Sequence, residues 1–124
     1  DPLAALKATL RHEMGRHCAD GDDLLWAEIA ATAARKPEVA ETLARMEEGI
    51  ARRVAHVIGL AAGLGEEEAL ARFGVHARLV FLIMHGAMTS QVARNQPRDG
   101  ALTELVLRTI DRVMDDALAR PKDP

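Results

Sequence analysis

The side chains best suited to metal chemistry lie in His12-Glu-Met-Gly-Arg-His17, which is followed directly by Cys18. In the zinc-protease signature two histidines stand four residues apart, so that both ligands leave one face of a helix. Here the two histidines are five residues apart, which turns them about 140° from each other on a helix. The chain also has no second cysteine. Of the three functions considered below, a helical metal-binding protein with ligands among His12, His17 and Cys18 is therefore the least favoured. No cofactor is predicted.

Nucleophilic catalysis has little support in the sequence. Ser90 is the only serine and Cys18 the only thiol, and neither stands in a glycine-flanked turn of the kind that presents a nucleophile. No glycine-rich phosphate loop follows a strand, because no segment alternates with the period of a strand. We therefore expect a protein that is not an enzyme.

Length and composition narrow the class of protein. The 124 residues suit one domain with one core. The balance of 48% apolar and 28% charged residues is typical of a globular chain, and no apolar run approaches the length of a membrane span. A net charge of −3 argues against these residues binding nucleic acid. The single cysteine fits a reducing compartment, so we expect a cytoplasmic protein without a membrane partner.

Helical periodicity predicts an all-α fold with five main helices and no strands. The first helix begins at an Asp1-Pro2 cap and continues to Cys18, and the second follows the turn at 20–22 and continues to Arg35-Lys36. The third begins at Pro37 and ends near Ile58. The fourth extends from near Glu66 to near Asn95, and the fifth from Leu102 to Leu118. Residues 120–124 are expected to be a frayed tail, and the chain is expected to be the later part of a longer protein.

The fourth helix is the element around which the others are arranged, because it has two apolar faces. One long stripe consists of Leu70, Phe73, Ala77, Phe81, Met84, Met88 and Val92, and an opposed stripe consists of His76, Leu79, Ile83, Gly86 and Ser90. A helix with two apolar faces needs two partners. We expect one partner to be the core of the domain and the other to be a second copy of the chain.

His85 lies beside the part of the long stripe that contains Phe81, Met84 and Met88. Apolar pockets for small molecules use a few polar groups to orient the ligand, and His85 is a candidate for that role. The competing interpretation is ordinary core packing, with each histidine hydrogen-bonded inside the core or an interface. The predicted ligand-binding residues are Leu10, Met14, Trp26, Ile29, Met46, Ile50, Phe81, Met84, His85 and Met88.

Three stretches carry a resemblance to a known family. Asp1-Pro-Leu-Ala-Ala-Leu opens a helix, Trp26-Ala-Glu28 is followed by Ala33-Ala-Arg-Lys-Pro-Glu38, and a late His85-Gly86 helix precedes a final amphipathic helix. In this order the chain resembles the C-terminal regulatory domain of TetR-family transcriptional repressors. The likeness covers residues 1–119, and its most specific part is Trp26 to Glu38.

The resemblance implies a homodimer in which the last two helices of each subunit form a four-helix bundle, and a small-molecule effector held by the preceding helices. DNA would be bound only by an N-terminal helix-turn-helix domain, which has no counterpart in this chain, and effector binding would shift the first helix. The predicted interface residues are Leu79, Ile83, Gly86, Ser90, Leu102, Val106, Ile110 and Val113. The second interpretation is a structural dimerisation module that binds no effector.

Overall fold

The computed structural model describes the backbone of residues 1–20, 22–94 and 99–119, and the side chains of residues 1–14, 24–90 and 99–119. Within these ranges the chain forms five α-helices and no strand: α1 (Pro2–Asp20), α2 (Asp22–Ala33), α3 (Pro37–Ala61), α4 (Glu66–Arg94) and α5 (Gly100–Ala119). The predicted all-α fold is confirmed. The predicted tail at 120–124 lies outside the described residues. In the part of the chain described, no helix is long and apolar enough to cross a membrane.

Aspartate side chains cap the first and last helices. Asp1 Oδ1 accepts hydrogen bonds from the backbone N–H groups of Leu3 and Ala4, at 3.0 and 3.3 Å. Asp99 Oδ1 accepts from Ala101 and Leu102 in the same way, at 3.0 and 3.1 Å. Each aspartate therefore satisfies N–H groups that have no partner within their own helix.

The end of α2 differs from the prediction. The helix was expected to continue to Arg35-Lys36, but it ends at Ala33. The carbonyl of Thr32 then accepts the N–H groups of both Arg35 and Lys36 in a turn. Lys36 has φ −124° and ψ 110° because Pro37 excludes the preceding residue from the helical region. Pro37 itself begins α3.

Two glycines shape the junction between α3 and α4. Gly63 has φ 73°, and the Leu64 N–H donates to the carbonyl of Gly59 at 2.8 Å, which closes α3 with a Schellman motif. At Gly59 the two helices come close together, since a Cβ at this position would overlap the Cβ of Ala69. The closeness of α3 and α4, which make the most extensive helix contact in the fold, therefore depends on the missing side chain at 59.

The core lies between α1, α3, α4 and α5. Its buried apolar residues are Met14 of α1, Ala51, Val54, Ala55 and Ile58 of α3, Ala69, Phe73, Ala77, Val80 and Met84 of α4, and Leu107, Ile110, Met114 and Ala117 of α5. Ile110, which we predicted at the dimer interface, is 1% exposed. The helical wheel could not show that this side of α5 packs onto its own chain.

Ion pairs link α1 to α5 along their exposed edges. Lys7 of α1 lies 2.8 Å from Asp115 of α5, and Arg11 lies 3.0 Å from Glu104 and 3.3 Å from Asp111. The hydrogen bond to Glu104 is the main cause of a raised pKa for the Arg11 guanidinium. These pairs hold α1 along α5, although exposed pairs add little stability.

The early part of α4 lies beside the late part of α5, since His76 Nε2 is 3.6 Å from Asp116. The two helices are therefore antiparallel neighbours. Their outer sides, which point away from the core, belong to one two-helix surface.

Candidate ligand-binding cavity

A cavity of about 490 Å³ lies between the first four helices, and we call it the central cavity. Its walls are mainly apolar. They consist of Leu6, Thr9, Leu10 and Glu13 of α1, Trp26 of α2, Leu43, Glu47, Ile50, Arg53 and Val54 of α3, and Phe81, Met84, His85 and Met88 of α4.

Helical spacing explains why these side chains meet. Phe81, Met84, His85 and Met88 follow the i, i+3, i+4, i+7 pattern of one helix face, and the α3 and α1 residues repeat at similar intervals. Each helix therefore presents one continuous strip to the same space. Trp26 joins them from α2 and is the only tryptophan of the chain.

Seven of the ten residues predicted to bind a ligand line the central cavity: Leu10, Trp26, Ile50, Phe81, Met84, His85 and Met88. The other three lie elsewhere. Met14 is 2% exposed and belongs to the core. Ile29 and Met46 line a separate groove of about 400 Å³ between α2 and α3, which shares Trp26 and Leu43 with the central cavity.

The prediction missed several lining residues. Leu6 and Leu43 lie on apolar stripes that were visible in the sequence, so their spacing could have identified them. Glu47 and Arg53 were not among the predicted ligand-binding residues, but both line the central cavity. A helical wheel assigns charged residues to the solvent side of a helix, so it did not identify these two as lining residues.

Polar groups occupy distinct positions in the cavity wall. The His85 ring stacks on Phe81 with ring centroids 5.6 Å apart and an interplanar angle of 13°. The Thr9 hydroxyl donates to the carbonyl of Ala5 at 2.9 Å, so its hydrogen is used within α1. Glu47 is half-buried, whereas Arg53 is exposed. The cavity thus combines apolar walls with a few charged groups.

A second cavity of about 440 Å³ lies between α3 and α4. Glu47, Phe81 and His85 line it as well as the central cavity, so these three side chains separate the two spaces. On its other side the Arg78 guanidinium lies 3.2 Å from the Glu48 carboxylate. Leu82, which is 65% exposed, stands at its outer edge.

The outer side of α4 and α5 carries exposed apolar residues, which we call the outer apolar face. It includes Val75, Leu79 and Leu82 of α4, which lie within about 60° of one another on the helix. Leu102 and Leu105 of α5 are 52% and 46% exposed. Val75, Leu82 and Leu105 were not among the predicted interface residues.

The residues predicted for the dimer interface fall into three groups by exposure. Leu79, Gly86, Ser90 and Leu102 are exposed, and Ile83, Val106 and Val113 are half-buried at the edge of the core. Ile110 lies inside the core, as described above.

Metal ligands do not gather in the part of the chain whose side chains are described: no group of three or more His, Cys, Asp or Glu residues there could hold an ion. His12 is exposed on α1. The side chains of His17 and Cys18, the other candidates, lie outside the described residues.

Comparisons with models of known protein families, with curated proteins and with solved structures found no match.

Proposed function

We propose that this chain is the effector-binding and dimerisation domain of a TetR-like transcriptional regulator, and that it binds a small apolar or amphipathic molecule in the central cavity. The cavity is the observation that carries the proposal. Its volume of about 490 Å³ lies within the range of roughly 300 to 1,000 Å³ that is usual for small-molecule sites. Its apolar walls and few polar groups are also typical of such sites.

Dimerisation is supported by the outer apolar face. Leu79, Leu82, Leu102 and Leu105 are all more than 40% exposed, although leucine is among the residues most often buried. Clustered exposed apolar side chains mark interaction surfaces. A second copy that packs its own α4 and α5 against this face would give a four-helix bundle, with the same patch used by both subunits.

The arrangement of α1 suggests how the ligand would be sensed. Leu6, Leu10 and Glu13 line the central cavity, so an occupant would contact α1 directly. In a TetR-like regulator this helix joins the effector domain to the DNA-binding domain. A ligand that fits one position of α1 better than another would shift the population toward that position and change the spacing of the two DNA-binding domains.

The competing function is a structural dimerisation module with no effector. A densely packed interior would favour the structural module, whereas the central cavity among α1, α2, α3 and α4 favours ligand binding. Both functions predict a dimer, so only a binding experiment separates them.

The cavity is tested with N-phenyl-1-naphthylamine, a neutral apolar dye that fluoresces in apolar surroundings. We expect the protein to bind the dye, and Ile50→Trp, which fills the central cavity, to weaken binding at least about tenfold. Ile29→Trp makes the same change in the α2–α3 groove and serves as the matched control. Equal binding by both variants and the unchanged protein would place the dye elsewhere, and no binding at all would favour the structural module.

The dimer is tested by analytical ultracentrifugation. Leu79→Glu places a charge on the outer apolar face and should give monomers, because an unpaired charge in an interface is costly. Leu60→Glu is the matched control, since Leu60 is 48% exposed and Leu79 44%, and Leu60 lies near the end of α3. A charge at Ile110 would disturb the core instead. A dimer that persists in Leu79→Glu would rule out the outer apolar face as the interface.

A further inference from the structure

The charges around the central cavity are unevenly distributed between its interior and its rim. Glu47 is half-buried, whereas the Arg53 side chain is exposed. A charge in contact with water is well solvated, but one partly removed from water needs a partner. The Glu47 carboxylate is therefore less well solvated than the Arg53 guanidinium.

Glu47 is such a partly buried charge. Within the described residues its carboxylate makes no hydrogen bond and no ion pair, although the neighbouring Glu48 is paired with Arg78 at 3.2 Å. Glu47 also lies where the central cavity meets the second cavity, beside Phe81 and His85. A cation placed there would supply the missing partner without displacing an existing one.

The aromatic side chains also favour a ligand with a positive charge. Phe81 and Trp26 both line the central cavity, and the faces of aromatic rings attract ammonium groups. An anion would instead depend on Arg53, whose charge is already solvated, and on His85, whose ring is stacked on Phe81. The site therefore suits a cation better than an anion.

We infer that the central cavity binds amphipathic amines, molecules with an apolar chain or ring and one ammonium group. The ammonium group lies at Glu47, and the apolar part lies along Leu10, Ile50 and Met84. This inference rests on the proposed function, since it names the class of effector that the same cavity accepts.

The test compares three probes that share an eight-carbon chain and differ in the charge of a small headgroup: octylammonium, octanoate and 1-octanol. Each is titrated below its micelle concentration into the whole chain. Trp26 reports binding by its fluorescence, because it is the only tryptophan and lines the cavity. Calorimetry gives an independent dissociation constant. We expect the ammonium probe to bind about tenfold more tightly than the other two, from a charge interaction at close range.

Two isosteric variants assign the effect to one carboxylate. Glu47→Gln should weaken binding of the ammonium probe about tenfold and change 1-octanol binding less than about twofold. Glu41→Gln is the matched control, because Glu41 is exposed on the same helix and lines none of the cavities described above. Far-UV circular dichroism checks that both variants fold.

The outcomes separate this inference from the proposed function. If octanoate or 1-octanol binds most tightly, or if Glu47→Gln behaves like Glu41→Gln, the amine inference is wrong and the cavity remains an effector site. If none of the three probes binds, both the amine inference and the effector site are overturned.

Discussion

The close approach of α3 and α4 at Gly59 can be tested with a single added methyl group. In Gly59→Ala the new Cβ would overlap the Cβ of Ala69, with the Ala69 Cα only 3.5 Å away. Neither atom belongs to a flexible side chain that could move aside. The two helices would have to separate, and they carry most of the wall of the central cavity.

Two opposing effects determine the size of the change. Replacing glycine by alanine inside a helix stabilises it by about 1 kcal/mol. Overpacking a tight contact costs about 1 to 3 kcal/mol. Gly49→Ala isolates the first effect, because Gly49 lies in the same helix and no atom stands within 4 Å of the place that its new Cβ would occupy. We therefore expect Gly59→Ala to be less stable than Gly49→Ala by about 2 kcal/mol.

The assay is thermal and urea unfolding followed by circular dichroism at 222 nm. A difference of about 2 kcal/mol corresponds to roughly 8 °C in Tm for a domain of this size. Adding Ala69→Gly to the Gly59→Ala variant removes the opposing methyl group and should recover part of the loss. If Gly59→Ala unfolds at the same temperature as Gly49→Ala, or above it, the helices do not depend on a glycine at this position.

Two further predictions concern the ends of helices. Asp99→Ala removes the acceptor for two N–H groups at the start of α5 and should cost about 1 kcal/mol of stability. Asp99→Asn keeps an acceptor oxygen and should retain most of the stability in the same urea titration. Equal losses in the two variants would argue against a cap. Gly63→Ala should cost about 1 kcal/mol because φ is 73° there. Gly49→Ala, inside α3 and without a positive φ, should not lower Tm, and a loss there as large as at Gly63 would contradict the backbone explanation.

The helices themselves were accessible from local patterns. Asp1-Pro2 predicted the start of α1, Pro37 predicted the start of α3, and the long fourth helix was expected within about a residue of its observed ends at Glu66 and Arg94. These features depend on backbone geometry and on neighbours within one or two turns, so the chain carries them locally.

The cavity was only partly predictable. Spacing identified the faces of α3 and α4 that contain Ile50, Phe81 and Met84, and these side chains do line one space. Periodicity treats every charged residue as external, however, so it missed Glu47. It also grouped Met14 with the cavity, although the packing of α1 against the core buries that side chain.

The rotation of each helix about its own axis was decided only by tertiary packing. The sequence assigned both Leu102 and Ile110 to one apolar side of the last helix, but α5 turns Ile110 into the core and leaves Leu102 outside. The sequence of a helix is enough to show that the helix has an apolar side, because apolar residues recur at the helical period. Which residues of a wide apolar side touch the core depends on the positions of α1, α3 and α4, which are set by contacts far apart in the chain.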